Sequence, residues 1–321
     1  SIRALKNVFR LFQSESHHQP INMSLTFSSK CQPYTFRTFA DELAIRELEL
    51  SSGCDTLSAK LFHGVEKSLE RLKVCMYNVQ SLAPNPFRQL AGLRELSMFI
   101  SKVKAVRADL FSSGGLDQLE TLEIDSVWFS AKKVNLICVD SALLRPLTSL
   151  KRLRLSKVEF DSLDELVAGL ASLEELVLHN NSMTRAVDDD TFRSFAERLR
   201  ILEISQNLIC AVAANHFAGL VNLEELRLSN NKIALVEARS FAALTKLKRL
   251  DLSKNCLQSL ENHTFAGLDS LIELQLSSNL ISSIEPHAFH GLGQLKSLSL
   301  EMNRIPCVTE RQTFEPLASL E

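Results

Sequence analysis

The pattern L-x-x-L-x-L returns at a regular interval, and this periodicity is the strongest constraint on the fold. In the second half of the chain the pattern begins at Leu199, Leu223, Leu247, Leu271 and Leu295, each 24 residues after the last. Looser versions begin at Ile45, Leu69, Leu93, Leu119, Leu150 and Leu173. A repeat of this length indicates an array in which each unit packs only on its neighbours. We count eleven units within 41–321 and, because a twelfth pattern opens at Leu320, expect the array to continue beyond Glu321.

The composition agrees with an elongated array that has a thin, continuous core. Leucine accounts for 56 of the 321 residues, and 18 of the 21 aromatic residues are Phe. No stretch reaches the roughly 18 consecutive apolar residues of a membrane helix, so the leucines are spread among polar residues. The formal charge of −2 disfavours a strongly basic surface for nucleic acid or anionic lipid.

One unit, LEELRLSNNKIALVEARSFAAL from Leu223 to Leu244, shows every position of the repeat. Leu226 and Leu228 alternate about an outward residue, which predicts a short strand with one buried face. Stacked units then form a parallel sheet. An Asn recurs at the ninth position, where the chain leaves the strand, and we expect its amide to bond backbone groups of its own unit and of the next. These residues are Asn181, Asn207, Asn231, Asn255, Asn279 and Asn303.

A second periodic position, late in each unit, is occupied by Phe. A Phe fills the wide side of a wedge without a polar group that needs a partner. We therefore predict a row of buried rings behind the sheet, formed by Phe192, Phe217, Phe241, Phe265, Phe289 and Phe314.

These Leu, Asn and Phe positions resemble the leucine-rich repeat family, in the 24-residue form found in Toll-like receptors and Slit. The resemblance covers roughly 45 to 321. It implies an α/β-type repeat solenoid: a horseshoe with a concave parallel β-sheet and an irregular or 3-10 convex side. Residues 1–40 do not fit the repeat, and we expect them to be an N-terminal flanking segment or degenerate cap before a solenoid over 41–321. Because the family usually closes its arrays with disulfide-bonded caps, Cys31 and Cys54 are the best candidates for an N-terminal clasp.

The outward positions beside the buried strand leucines form the default binding surface of a solenoid. Opposite charges alternate there between neighbouring units, which favours a protein ligand of mixed charge over a polyanion. Trp128 lies in the longest unit, whose extra residues predict a protrusion, and is a candidate interface anchor. The other predicted ligand-binding residues are Glu175, Val177, Ile201, Glu203, Glu225, Arg227, Arg249 and Asp251.

The first five units depart from the pattern and place Met76, Phe99 and Ile100 at expected outward positions. Exposed together, these side chains would form an apolar contact patch. In the alternative, the irregular end of the array turns them inward beneath the N-terminal segment.

Three N-x-S/T sequons, at Asn22, Asn180 and Asn262, are candidate glycosylation sites. We expect Asn180 and Asn262 to be exposed. Together with the repeat subtype, the sequons favour an extracellular, secreted or cell-surface location. On the predicted convex side, His263 and His287 occupy equivalent positions in adjacent units, where a pair could titrate near neutral pH, although solvated histidines are the commoner case.

Catalytic motifs such as G-x-S-x-G, H-E-x-x-H and the P-loop do not occur, so we expect no enzyme, no cofactor and no metal site. Two classes of function remain. The resemblance implies the ectodomain of a Toll-like or related receptor that recognises an extracellular protein ligand or co-receptor, and we keep a homodimer as an alternative partner. The other class is a secreted or surface-anchored adhesion, guidance or matrix protein. We expect no nucleic acid, and contact with a membrane only through a segment outside this chain.

Overall fold

A computed structural model describes residues 21–27, 45–52, 56–77, 79, 81–112, 114–126, 136–184, 191–214, 216–306 and 311–321. In this part of the chain successive units stack into a solenoid whose main sheet has twelve parallel strands. The predicted fold class, a horseshoe solenoid with a parallel concave sheet, is confirmed. Helices are few and short: an α-helix over Leu163–Val167, another over Arg311–Phe314, and 3-10 turns over Ala59–Phe62 and Ala108–Leu110.

Strands are numbered in chain order. The first twelve are β1 (Ile21–Phe27), β2 (Ile45–Ser52), β3 (Thr56–Leu57), β4 (Arg71–Met76), β5 (Ser81–Leu82), β6 (Glu95–Ile100), β7 (Ala105–Val106), β8 (Thr121–Ser126), β9 (Ile137–Val139), β10 (Arg152–Ser156), β11 (Val158–Phe160) and β12 (Glu175–His179). The remaining nine are β13 (Ile201–Glu203), β14 (Ala211–Val212), β15 (Glu225–Arg227), β16 (Leu235–Val236), β17 (Arg249–Asp251), β18 (Ser259–Leu260), β19 (Glu273–Gln275), β20 (Ser283–Ile284) and β21 (Ser297–Ser299).

Each of the eleven units supplies one strand to the main sheet, and β1 precedes them as a twelfth, in the order β1-β2-β4-β6-β8-β10-β12-β13-β15-β17-β19-β21. The repeat leucines are in register, so that Leu226 pairs with Leu202 on one side and Leu250 on the other. All three are buried. Since side chains alternate across a strand, the residues on either side of each leucine must point outward, onto the concave face.

The first strand of the sheet comes from the segment that the sequence analysis set apart. β1 pairs in parallel with β2, and a register shift after Ile21 aligns Met23 with Leu48 and Leu25 with Leu50. Part of 1–40 therefore continues the sheet, and the assignment of 1–40 as a flanking segment or degenerate cap stays a prediction. The step from β1 to β2 lacks the full leucine pattern, which is why the periodicity did not indicate this strand.

Behind the main sheet, short strands form four smaller parallel sheets: β3-β5, β7-β9-β11, β14-β16 and β18-β20. Their inward residues, such as Val106, Val139 and Val212, belong to the same continuous core as the repeat leucines. No helix among the described residues is long and apolar enough to cross a membrane.

The predicted row of Phe rings is present. Phe217, Phe241, Phe265 and Phe289 are buried, with successive ring centroids 6.0 to 6.4 Å apart and nearly parallel rings. At the ends of the predicted row, Phe192 is buried and Phe314 is only partly buried. Sequence analysis missed a second row, formed by Phe62, Phe87 and Phe111, whose centroids are 5.7 and 6.1 Å apart.

The predicted Asn ladder is also present, but its direction is reversed. Asn255 Nδ2 donates to the carbonyls of Leu252 in its own unit and Leu228 in the preceding unit, both at 3.0 Å. Asn255 Oδ1 accepts from the N–H of Ile233, also in the preceding unit, at 3.0 Å. The prediction of bonds to the next unit was wrong, because the Asn side chain points toward the preceding unit. The Nδ2 of each other ladder residue also donates to a carbonyl of the preceding unit; these residues are Asn181, Asn207, Asn231, Asn279 and Asn303.

Candidate functional site

The concave face of β12 to β19 carries the predicted ligand-binding residues of the described chain. Two outward columns run across it: Glu175, Ile201, Glu225 and Arg249 in one, and Val177, Glu203, Arg227 and Asp251 in the other. Neighbours in a column are in direct register and therefore close enough to interact.

Val177 does not contribute to this surface, because its side chain is only 2 % exposed. It lies in register between Arg154 and Glu203, two much longer residues. The prediction that Val177 contacts a ligand is therefore wrong. Ile201 remains half-buried. Trp128, the predicted interface anchor, lies outside the described residues.

A continuous ion-pair network crosses four strands at the centre of this face. Arg227 bridges two carboxylates, with Nη1 3.1 Å from Glu203 Oε2 and Nη2 in contact with Glu225. Arg249 Nε lies 3.5 Å from the other oxygen of Glu225, and His179 Nδ1 lies 3.5 Å from Glu203 Oε1. The carboxylates are largely covered, whereas about half of each Arg side chain is exposed. The network thus presents two guanidinium groups that are already oriented.

The same network changes the proton affinity of its central group. Burial is the largest single influence on the pKa of Arg227 and lowers it, but the carboxylates of Glu225 and Glu203 together outweigh burial, so the pKa is raised. At the flank of the sheet, a hydrogen bond from Lys248 is the main cause of the lowered pKa of Glu224. These groups therefore stay charged at physiological pH.

The network does not neutralise the face completely. The two columns together contain ten positions, from Glu175 to Gln275. Five of them hold carboxylates: Glu175, Glu203, Glu225, Asp251 and Glu273. Two hold arginines, Arg227 and Arg249. Five negative charges against two positive charges leave a net of −3 on this part of the face. The face thus carries alternating charges, as expected, but with an excess of negative charge.

The concave face of the first units is also paired, and it lacks the predicted apolar patch. Met76 and Ile100 are buried in the core, so these two side chains turn inward, as the alternative predicted, and do not form the exposed patch. Both strands β4 and β6 run longer than the later repeat strands, and their last residues turn into the core. Phe99 is half-buried, with Lys73 Nζ 5.5 Å from its ring centre.

Sequence analysis missed a third charged column, at the second position of each unit. The sign of the charge alternates from each unit to the next, beginning at the first unit. The charged residues are Arg46, Glu70, Arg94, Glu120, Lys151, Glu174, Arg200, Glu224 and Lys248. The column ends at Ile272, which is 40 % exposed. Several neighbours are paired, including Lys248 Nζ to Glu224 Oε2 at 2.6 Å and Arg94 Nη1 to Glu120 Oε1 at 3.1 Å. Aligning the second positions of the units would have revealed this column.

Of the three sequons, only Asn22 is fully exposed, on the edge strand β1. Asn180 and Asn262 are half-buried, so their expected exposure is corrected. The backbone N–H of Asn180 donates to Ser205 O, and Asn262 Oδ1 accepts from the N–H of His287 at 2.9 Å. Both residues thus contact the next unit, Asn180 through its backbone and Asn262 through its side chain.

The predicted clasp of Cys31 and Cys54 lies outside the described residues. Cys75, Cys138, Cys210 and Cys256 carry free thiols. His263 and His287 do stack on the convex side, with centroids 6.2 Å apart. His290 completes a trio of exposed rings, but no group of three possible metal ligands is arranged as a metal site within the described chain.

Comparison with known families matches most of the chain to repeat models. A model described as "Leucine rich repeat" matches 171–233, 197–257, 222–281 and 245–305. A model described as "BspA type Leucine rich repeat region (6 copies)" matches 15–132. No curated protein sequence matches the chain.

Solved structures share the fold at low sequence identity. TLR13, in the TLR13-ssRNA13 complex, superimposes with a TM-score of 0.69 and 22% identity over 92% of this chain and 46% of its own. FLRT2 (LRR), in an octameric complex with Latrophilin 3 and Unc5D, gives 0.66 and 24% over 82% of this chain and 77% of its own. Mouse RP105, in complex with MD-1, gives 0.60 and 20% over 82% and 48%. The chain thus spans about half the length of TLR13 and RP105.

Proposed function

The chain belongs to the leucine-rich repeat family, and from that premise we propose that it is part of the ectodomain of a Toll-like or related receptor. The solenoid acts as a non-enzymatic binding module, and its ligand is an extracellular protein or co-receptor. The ligand lies on the concave face, where Glu203, Arg227, Glu225 and Arg249 are held in one ion-pair network.

This network is the observation that carries the proposal. The ion pairs already orient two guanidinium groups on this face. Binding of a partner therefore costs less conformational entropy of the Arg227 and Arg249 side chains. Arg is also among the residues that most often dominate binding energy in protein interfaces. The net charge of −3 along these columns favours a partner surface that mixes acceptors for Arg227 and Arg249 with an excess of basic side chains.

The same charge argues against RNA on this face. Binding of a nucleic acid gains affinity from cations that replace the counterions of its phosphates, and here carboxylates outnumber guanidinium groups. TLR13 is in complex with single-stranded RNA, but that partner is not carried over to this chain, and we keep the proposal of a protein ligand.

We expect Arg227→Glu to weaken binding of the protein ligand by at least about tenfold, or 1.4 kcal/mol. The substitution removes a donor and adds a third carboxylate beside Glu203 and Glu225. Secreted and cell-surface proteins displayed as multivalent probes would first identify a binder of the wild-type chain. Its affinity would then be measured by surface plasmon resonance for the wild type, Arg227→Glu and the neutral Arg227→Gln.

Arg239→Glu is the matched control, because Arg239 is an exposed residue of the same unit that lies outside the main sheet. Circular dichroism of each variant confirms that the array is folded. Equal affinities for the wild type and both Arg227 variants would place the ligand elsewhere, and a loss in Arg239→Glu alone would indicate the convex side.

An extracellular location predicts that the sequons are used. We expect at least one of Asn22, Asn180 and Asn262 to carry a glycan in the protein isolated from its natural source. Enzymatic removal of N-glycans converts an occupied Asn to Asp, and peptide mass spectrometry detects the change. Asn222, which lies outside any sequon, is the internal control and should stay Asn. Unchanged masses at all three sequons would argue against passage through the secretory pathway.

A second candidate is a secreted or surface-anchored adhesion, guidance or matrix protein. The likeness to FLRT2 supports it, because the chain covers 77% of that structure. The two candidates differ in the sequence of the transcript after the codon for Glu321. An apolar helix followed by a signalling domain would support the receptor, whereas a stop codon or a lipid-anchor signal would support the adhesion protein.

A further inference from the structure

The three-stranded sheet β7-β9-β11, behind the main sheet, has an outward face that no other described element covers. Ala105, Cys138 and Glu159 form its central row, with Cys138 in register with both of the others. All three are exposed, while the residues beside them on the strands point into the core. The face is flat and short, and its charges are distributed unevenly.

Positive charge is concentrated along β7. Lys102, Lys104 and Arg107 are exposed and line a hollow of about 620 Å³ together with Leu82, Pro84 and one exposed carboxylate, Asp109, so that cations outnumber carboxylates there by three to one. The hollow opens between β5 and β7, which belong to different sheets. Pro84 follows β5 and has no backbone N–H with which to continue a ladder toward β7.

Negative charge is concentrated on the opposite edge. Glu159 on β11, Asp161 just after it and Asp140 just after β9 are all exposed. Burial is the main cause of the raised pKa of the Cys138 thiol, and these three carboxylates raise it further. They therefore lie close to the centre of the face. Two strand spacings, roughly 10 Å, separate the basic edge from the acidic edge.

Two of the positive charges and two of the negative charges form no ion pair within the described part of the chain. Among the described residues, no ion pair is formed by Lys104, Arg107, Glu159 or Asp161. This contrasts with the concave face, where the arginines of the central network are paired. A face that carries unpaired positive charge on one edge and unpaired negative charge on the other is complementary to itself after a half-turn.

We propose that this face is an interface between two copies of the chain, related by a twofold axis parallel to β9. The rotation places β7 of each copy opposite β11 of the other. The cations beside one hollow then face the acidic edge of the second copy, and the same contact occurs twice. The two Cys138 thiols lie opposite each other near the axis. Because the strands have only two or three residues, the area falls below that of a stable standard interface, so the dimer is weak and dissociates in the micromolar range.

Sedimentation velocity of the full chain across the micromolar range tests the dimer. We expect a monomer–dimer equilibrium that shifts toward monomer as salt is raised, because the contacts are exposed ion pairs. Lys104→Glu combined with Arg107→Glu makes both edges acidic, and Glu159→Lys combined with Asp161→Lys makes both basic. Each double variant alone should associate at least about tenfold more weakly.

Mixing the two double variants separates this proposal from a general effect of charge. An all-acidic face and an all-basic face should form a heterodimer tighter than the wild-type homodimer. The matched control is Lys232→Glu with Arg239→Glu, which reverses two exposed cations outside this face and should leave association unchanged.

The position of the axis is tested by cross-linking with a short bis-maleimide reagent. We expect a covalent dimer that disappears in Cys138→Ser and persists in Cys210→Ser, since Cys210 is also exposed but lies outside this face. A chain that stays monomeric throughout, a mixture of double variants that does not pair, or a cross-link that survives Cys138→Ser would overturn the proposal. Retention of a monomeric wild type on a sulfated resin through Lys104 and Arg107 would overturn it in favour of an anionic ligand in the hollow.

Discussion

Phe241→Ala is expected to lower the free energy of unfolding by about 3–5 kcal/mol, the usual cost of truncating a buried aromatic side chain. Phe241 is fully buried, and its ring lies between those of Phe217 and Phe265, with centroid distances of 6.2 and 6.4 Å. Both neighbours are themselves buried in the core, so they have little freedom to move into the vacated space. The cavity therefore stays open, and contacts with both adjacent units are lost.

Urea denaturation followed by circular dichroism measures this loss. Because each unit of a solenoid contacts only its neighbours, unfolding can proceed in more than one step, so the transition is compared in midpoint and in slope. Phe314→Ala is the matched control: Phe314 is only partly buried and stacks on Phe289 alone, so a smaller loss is expected. A midpoint for Phe241→Ala equal to that of the wild type would contradict the stacked core.

Asn255→Ala is expected to destabilise the array chiefly because the buried N–H of Ile233 loses its acceptor. The carbonyls of Leu228 and Leu252 each lose one donor but keep another, Asn231 Nδ2 and Asn279 Nδ2 respectively. The amide of Asn255 donates to Leu228 O and Leu252 O and accepts from the N–H of Ile233, all at 3.0 Å. Each buried group that loses its partner costs about 1–3 kcal/mol, unless water enters to replace the bond. The expected loss is thus about 1–3 kcal/mol, below that of Phe241→Ala.

Hydrogen exchange gives a local readout for this variant, because the Ile233 amide should lose protection. Asn255→Asp keeps an acceptor for that amide but removes both donors, so Ile233 should stay protected while the array is still destabilised. Asn222→Ala is the control, since its amide bonds to Glu197 O and Lys246 at the surface. If Asn255→Ala and Asn222→Ala melted alike, the ladder would be no more than a surface feature.

The later units could be predicted almost position by position. Leu226, Leu250 and Phe241 are buried because a period of 24 residues returns each of them to the same environment. In the earlier units the same reasoning failed, since Met76 and Ile100 occupy expected outward positions and yet are buried. Their strands are longer, so an alignment based on the short strands of later units assigns the wrong face to their last residues.

Sequence analysis placed the chain's departure from each strand at the ladder Asn, but it did not predict the backbone conformation of the residue before it. The residue before each ladder position adopts a left-handed conformation, as in Gln206, Lys254 and Met302, with φ of 55 to 56°. None of these is a residue type that favours positive φ. The conformation is imposed by the adjacent Asn, whose bonds to the preceding unit draw the chain back and outweigh the local preference.

For the candidate site, the sequence alone determined which residues alternate in charge from unit to unit, because the register of a parallel repeat follows from its period. It did not determine which of them remain available. Only the packed array showed that Val177 is covered and that Glu203 and Glu225 share Arg227. It also showed that Lys104 and Arg107, which flank β7, and Glu159 on β11 form no ion pair within the described chain. Periodicity fixes the neighbours of a residue along the sheet. Burial and ion pairing also depend on side-chain lengths and on strands that are distant in sequence, so they are decided only when the units stack.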